Sequence, residues 1–235
     1  MLSDRFTIVQ GFALFAEVSA ADCANIVAAA REKRFSRKET IFSEGNPVNQ
    51  VIMLLSGCVK VTQTGLSGNE VILRLNGAGE IVGSFRLCTQ CYHCSTAQAV
   101  QPSTVLVWEA ANFEKLLARV PAFRRNTLRA LEDRLREMEQ RFREVSTEKV
   151  GSRLSSELLR LSDQLGRPGN GHLEITLSRA ELAQLTGTTL FTVSRLLCEW
   201  SRLGIVKVGR ETVIVCNRPS LEDLAERMGQ MSLKS

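Results

Sequence analysis

The chain has 235 residues, 44% of them hydrophobic, and its 30 Lys and Arg against 25 Asp and Glu give a formal net charge of +5. That length can bury one large core or two modest ones, and the basic excess suits a polyanionic partner without requiring one. No stretch approaches the roughly 18 uninterrupted apolar residues of a membrane-spanning helix. With only two histidines there is no Ser/His/Asp constellation to assemble, and neither a P-loop nor a dinucleotide-binding glycine fingerprint occurs, so no enzyme is expected.

The first ten residues carry Asp4 and Arg5 and lack the apolar run and cleavage site of a secretory signal, so a cytoplasmic protein is expected. Seven cysteines is an odd count, and three of them crowd together as Cys88, Cys91 and Cys94. That spacing suits a metal or redox site in a reducing compartment better than a disulfide framework.

In chain order, residues 19–33 predict a helix with Ser19 as N-cap and an apolar stripe of Cys23, Ile26, Val27 and Ala30. Cys23 reads as a small buried hydrophobe. From 35 to 108 the period shortens to alternating runs at 40–42, 51–55, 58–62, 71–75 and 104–108, punctuated by glycine turns. Many short strands at regular spacing predict a small barrel or jelly roll. Cys58 shares strand parity with Lys60 and is expected to point outward. A short helix is expected over 112–118.

Residues 121–149 predict one long helix. Leu128, Leu131, Leu135, Met138, Phe142 and Val145 recur at alternating steps of three and four, the a/d seam of a parallel coiled coil, amid residues that are almost all charged. A thin apolar seam calls for a partner helix, with packing on its own domain as the other reading; between two parallel chains Arg134 at g could pair with Glu139 at the following e.

A further helix over 150–165 ends in the breaker cluster 166–171, followed by a short strand at 172–177, with His172 read as a loop residue rather than a ligand. Ser178 and Glu181 form a capping box. Gly187 breaks that helix, and Thr188 or Thr189 caps another running to about Leu203, burying Val193, Leu196, Leu197 and Trp200. Phe191, Ser194, Arg195 and Cys198 fall on its opposite face. Residues 205–208 and 212–215 predict a hairpin, the wing of a winged helix-turn-helix. Cys198 and Cys216 read as packing residues. The expected fold is α+β, with a small barrel or jelly roll over 1–120, one long helix over 121–149 and a winged helix-turn-helix over 150–235.

Three features resemble the Crp/Fnr superfamily of bacterial transcription regulators. They are Phe42-Ser-Glu-Gly45-Asn-Pro leading into Val51-Ile-Met-Leu-Leu-Ser-Gly57-Cys-Val-Lys-Val, the turn Gly79-Glu-Ile-Val-Gly83, and the stretch from Arg179 to Val206 enclosing Thr192-Val-Ser-Arg195. The resemblance covers nearly the whole chain and implies a cyclic-nucleotide-binding-type β-roll sensor domain over 1–120, a dimerisation helix over 121–149, a winged helix-turn-helix DNA-binding domain over 150–235, a homodimer, double-stranded DNA as partner, RNA polymerase as a further one, and no membrane. Arg195 suits bidentate contact with guanine O6 and N7, and Thr188, Thr189 and Ser194 suit phosphates or base edges. Arg179, Phe191 and Thr192 complete the candidate DNA-binding set, with Lys207 and Arg210 as backbone contacts from the wing. Where the family often has a glutamate, this chain has Phe191, which offers only apolar contact, for instance to a thymine methyl.

The resemblance also places Cys94 where cyclic-AMP-binding relatives hold the phosphate with an arginine, so cyclic AMP is not expected. The segment Cys88-Thr-Gln-Cys91-Tyr-His93-Cys94 instead carries two successive C-x2-C steps. Thiolates so spaced suit an iron–sulfur cluster, or zinc completed by His93. Haem through His93 or a cysteine, and metal-free thiols, are the remaining readings, with the fourth ligand open and Cys23 one candidate for it. The expected mechanism is that oxygen, nitric oxide or a redox change at this centre shifts the roll against the long helix and re-spaces the DNA-binding domains. The alternative is a regulator of the same type with structural zinc or free thiols that senses a small organic effector, and a cysteine-ligated electron carrier is the rival from a different class.

Overall fold

The computed structural model describes residues 2–66, 68–84, 91–165, 167–169 and 172–230. They divide into two compact units, Met1–Arg136 and Glu137–Ser235.

The first unit holds α1 (Leu2–Gln10), a 3-10 turn (Ala13–Phe15), α2 (Ala20–Ala28), β1 (Arg31–Phe35), β2 (Thr40–Phe42), β3 (Gln50–Ser56), β4 (Val59–Thr64), β5 (Glu70–Asn76), β6 (Ile81–Val82), β7 (Thr96–Ala99), β8 (Ser103–Glu109) and α3 (Ala110–Arg119), and α4 (Pro121–Thr147) begins there. Its strands form two four-stranded sheets, ordered β1-β8-β3-β6 and β2-β7-β4-β5. Every pairing is antiparallel.

The two-residue period of a strand splits the central strands between two cores. Ile52 and Leu54 of β3 and Val105 and Val107 of β8 face a cluster with Phe42, Val59, Val61 and Ala97 from the second sheet. Val51, Met53 and Leu55, with Leu106 and Trp108, face the opposite cluster, built with Ile26 and Val27 of α2, Phe113 of α3 and Phe123 of α4. The indole of Trp108 donates to the Ile26 carbonyl at 2.8 Å. Asn126 of α4 donates to the carbonyls of Leu14 (3.1 Å) and Ala16 (2.7 Å), which pins the start of the long helix to this core.

Two expectations change. The helix capped by Ser19 stops at Ala28, because 31–35 pairs with β8 as a charged edge strand. Cys58 is 4% exposed rather than outward-pointing. It precedes β4 instead of lying in it, and its backbone is bonded to Ser103 Oγ (3.2 Å) and to the Val100 amide (2.8 Å), so strand parity does not apply.

The second unit takes the end of α4, then α5 (Val150–Leu165), β9 (Arg167–Gly169), β10 (His172–Ile175), α6 (Arg179–Thr186), α7 (Leu190–Arg202), β11 (Val206–Val208), β12 (Val213–Val215) and α8 (Arg218–Gln230). The strands form one sheet ordered β11-β12-β10-β9. Within this unit α4 is tied to α5 by buried charge. Arg160 grips Glu144 with two bonds (2.8 and 2.9 Å) and also donates to Glu157 (2.7 Å), which accepts from Arg141 at 3.1 Å. Burial pushes the Glu144 carboxyl up, but the bonds and charge of Arg160, with Gln140 and Arg143, outweigh it and hold the group below its ordinary value.

Removing one partner of a buried ion network leaves uncompensated charge, so Glu157→Ala should cost the second unit about 3–5 kcal/mol, read as a lower midpoint in urea. The depressed Glu144 value means its contribution is complete above its ordinary value of 4.5 and is lost as pH falls through the lower folded value. The midpoint should therefore drop in acid and drop less in Glu144→Gln, whereas a midpoint unchanged from about pH 7 to about pH 3 would contradict the network.

Candidate nucleic-acid interface and sensory segment

The turn between α6 and α7 is built as the sequence requires. Ser178 Oγ accepts from the Glu181 amide (3.2 Å) while Glu181 accepts from the Ser178 amide (2.8 Å), a complete capping box. Gly187 ends α6 in the left-handed region at φ 61°, where a Cβ would strain the backbone. Thr189, rather than Thr188, caps α7, its Oγ1 accepting from the Thr192 amide at 3.2 Å.

Val193, Leu196, Leu197 and Trp200 are buried, so the opposite face of α7 is fixed outward. Thr189, Phe191, Arg195 and Cys198 are exposed, while Arg179, Thr188, Thr192 and Ser194 are half-buried around them. Cys198 is thus a surface thiol and not a packing residue. Lys207 and Arg210 are exposed on the hairpin.

Along α4, Leu128, Leu135, Met138, Phe142 and Val145 are each more than half exposed, Phe142 at 76%. Leu131 departs from the seam, packing instead against the core of its own unit. Arg134 departs from its expected interchain role as well. Its guanidinium donates to the carbonyls of Ile81 and of Gly83, the latter at 2.8 Å. The physical reason is that β6 is the edge of its sheet, so every second carbonyl points away from β3 and needs a donor.

Of the expected ligands, Cys88 lies outside the described residues. Cys91 is disulfide-bonded, and its carbonyl accepts from the Val48 amide at 2.9 Å. His93 continues that ladder, its amide donating to Asn46 O and its carbonyl accepting from the Gly45 amide, both at 2.8 Å. Its ring stacks on Phe42 with centroids 3.7 Å apart. The ring is 6% exposed and its Nδ1 meets no hydrogen-bond partner, and burial pushes the imidazole below its ordinary value. Gly83, at φ 80°, closes the stack: a Cβ there would sit 2.5 Å from Phe42 and 3.3 Å from His93. Cys94 is exposed. Cys23 is buried in the other core, and burial raises its thiol.

Among the described residues these donors do not converge on a four-ligand centre. A disulfide sulfur is not a thiolate ligand, and His93 and Cys94 turn to opposite sides of the chain, one buried and one in solvent. Among the described residues no three of His, Cys, Asp and Glu converge on one point. Nor is any helix among them long and apolar enough to cross a membrane.

Comparison with known proteins matches residues 32–120 to the cyclic nucleotide-binding domain and residues 152–224 to the Crp-like helix-turn-helix domain. The chain is 31% identical over 195 residues to the cyclic AMP receptor protein of Thermus thermophilus, covering 83% of this chain and 88% of that one. It is 25% identical to electron transport regulator A of Shewanella oneidensis, over 83% and 78% of the two chains. The structure of FixK2 from Bradyrhizobium japonicum superposes with a TM-score of 0.73 at 24% identity, covering 83% of this chain and 96% of that one.

Thiol accessibility gives a direct check. Native protein treated with iodoacetamide should be labelled at Cys94 and Cys198 well before Cys23 and Cys58, and at Cys91 only after a dithiol reductant. Early labelling of Cys23, or of Cys91 without reductant, would contradict this geometry.

Proposed function

Because the chain belongs to the CRP/FNR family of transcription regulators, we propose that it is a homodimer that reads DNA through α7, and that its affinity is set by the redox state of the cysteine segment beside the roll. The protein is a DNA-binding regulator and not an enzyme. The observation that carries the reading is the outward face of α7, held by four buried side chains on its reverse, with Arg195 exposed and the threonine-capped N-terminus free. Free amides at a helix start suit phosphate, and a guanidinium suits the two acceptors of guanine. Thr188, Thr189, Thr192, Ser194 and Arg179 surround that contact, with Lys207 and Arg210 on flanking phosphates.

The exposed stripe of Leu128, Leu135, Met138, Phe142 and Val145 supports dimerisation on a second copy of α4. Five apolar side chains in heptad register on an otherwise charged helix are the seam of a coiled coil. Two α7 helices would then enter successive major grooves about one helical turn apart.

The redox half rests on Cys91 being disulfide-bonded within a segment that also exposes Cys94. Reduction by a dithiol delivers two electrons and two protons and returns two thiols, and a peroxide or disulfide oxidant reverses it. The consequence passes along a contiguous chain of contacts. The ladder of 91–93 on 45–48 fixes the His93 ring, the ring bears on Gly83, and the Gly83 carbonyl is held by Arg134 of α4. Cyclic AMP is not the signal in this reading, since Cys94 stands where its phosphate would need a cation.

Binding to a specific duplex should fall steeply with salt, and Arg195→Ala should cost roughly 1–3 kcal/mol while relaxing preference at one base pair. Equal binding to specific and scrambled duplexes would end the DNA-reading proposal. The reduced and oxidised proteins should differ in affinity by about tenfold, a common size for coupling between sites. Identical affinities, or an effect that survives in Cys91→Ser, would end the redox half alone.

A further inference from the structure

In the second unit the first turn of α7 leaves two large apolar side chains in solvent, Leu190 at 52% and Phe191 at 78% exposure. Both follow the cap Thr189, and Phe191 lies on the face that carries Arg195, away from the buried Val193, Leu196, Leu197 and Trp200. A bare phenyl ring in water is unfavourable, and it gains most where it meets another apolar group. The major groove displays donors and acceptors on every base pair but only one projecting apolar group, the C5-methyl of thymine. Phe191 and Arg195 are four residues apart and therefore neighbours on one helix face, about 5–6 Å apart at Cβ. Bases along one strand are spaced by about 3.4 Å. A base touched by the ring therefore lies one or two steps from a guanine held by the guanidinium.

We propose that Phe191, flanked by Leu190, is a specificity-determining residue that reads a thymine methyl one or two steps from the guanine contacted by Arg195. This rests on α7 being the DNA-reading helix, and it adds an apolar rule to the hydrogen-bonded one. A side chain with neither donor nor acceptor discriminates thymine by its methyl, not by its Watson–Crick edge. The half-site should therefore tolerate 5-methylcytosine in place of that thymine better than cytosine.

The test starts from the full-length protein and a pool of random-sequence duplexes. The enriched duplex is remade with each guanine in turn replaced by 7-deazaguanine, which removes N7 and locates the arginine contact. Each thymine is then replaced by deoxyuridine, and affinity is read by fluorescence anisotropy. The unmodified protein should lose about fourfold at one thymine within two steps of the sensitive guanine, the effect of losing one buried methyl group. Phe191→Ala should bind the thymine and uracil duplexes equally, and 5-methylcytosine should bind better than cytosine at that position only when the ring is present. Indifference of the unmodified protein to every thymine-to-uracil change would overturn the inference. So would discrimination that persists in Phe191→Ala, or an enriched half-site with no thymine near the guanine. Failure of the pool to enrich any sequence would instead remove the DNA-reading proposal on which the inference stands. Because the uracil series uses the unmodified protein, the outcome does not depend on the variant folding.

Discussion

The fork of hydrogen bonds from Arg134 to the carbonyls of Ile81 and Gly83 is the constraint on which the first unit's use of its long helix depends. A two-residue edge strand leaves carbonyls at every second position unpaired, and a planar guanidinium is the side chain best shaped to take two of them at once. Bonds to a charged donor contribute roughly 1.5–3 kcal/mol each, enough to hold α4 in register with the turn at Gly83. The same turn is packed on its other side by the stacked rings of Phe42 and His93, with no room for a Cβ between them. The helix proposed to pair with a second copy is thereby referenced to the segment that carries Cys91 and Cys94.

The two ends of α4 are held by different physics. In the first unit the holding groups are Asn126 on two backbone carbonyls, Phe123 in an aromatic cluster and the Arg134 fork. In the second unit it is a buried network of two arginines and two glutamates, which binds strongly only while every member is present. Along α4, Leu128, Leu135, Met138, Phe142 and Val145 are left in solvent, an arrangement that suits a helix made to pair. Met138 and Phe142, a flexible thioether and a broad ring, can repack at modest cost when the pairing geometry changes.

Much of the organisation was legible because it is periodic or local. The heptad stripe, the capping box at Ser178, the left-handed Gly187 and the four buried positions of α7 each follow from spacing alone. What escaped was set by tertiary partners. Residues 31–35 carry three basic residues and no alternation, and are a strand only because β8 supplies the ladder. The small side chains of β7 gave no apolar pattern, although Ala97 and Ala99 are fully buried. In α8 the stripe of Leu221, Leu224 and Ala225 is a readable helical signal. Heptad arithmetic assigned Arg134 to a partner chain because it sees only the helix, not the sheet edge beside it. The C-x2-C spacing suggested three convergent thiolates, whereas the chain pairs Cys91 in a disulfide, turns Cys94 to solvent and buries His93 against Phe42. Spacing fixes which sulfurs can approach one another, and the ladder on 45–48 decides which way each one faces.

The proposed route from the cysteine segment to DNA passes through one side chain, so the most direct measurement compares the redox dependence of DNA affinity in the unmodified protein and in Arg134→Gln. Glutamine can reach at most one of the two carbonyls and brings no charge, while the seam and α7 are untouched. If the route is as described, the unmodified protein changes affinity on reduction by about tenfold and Arg134→Gln binds DNA with an affinity that barely responds. An Arg134→Gln protein whose response to reduction equals that of the unmodified chain would contradict it.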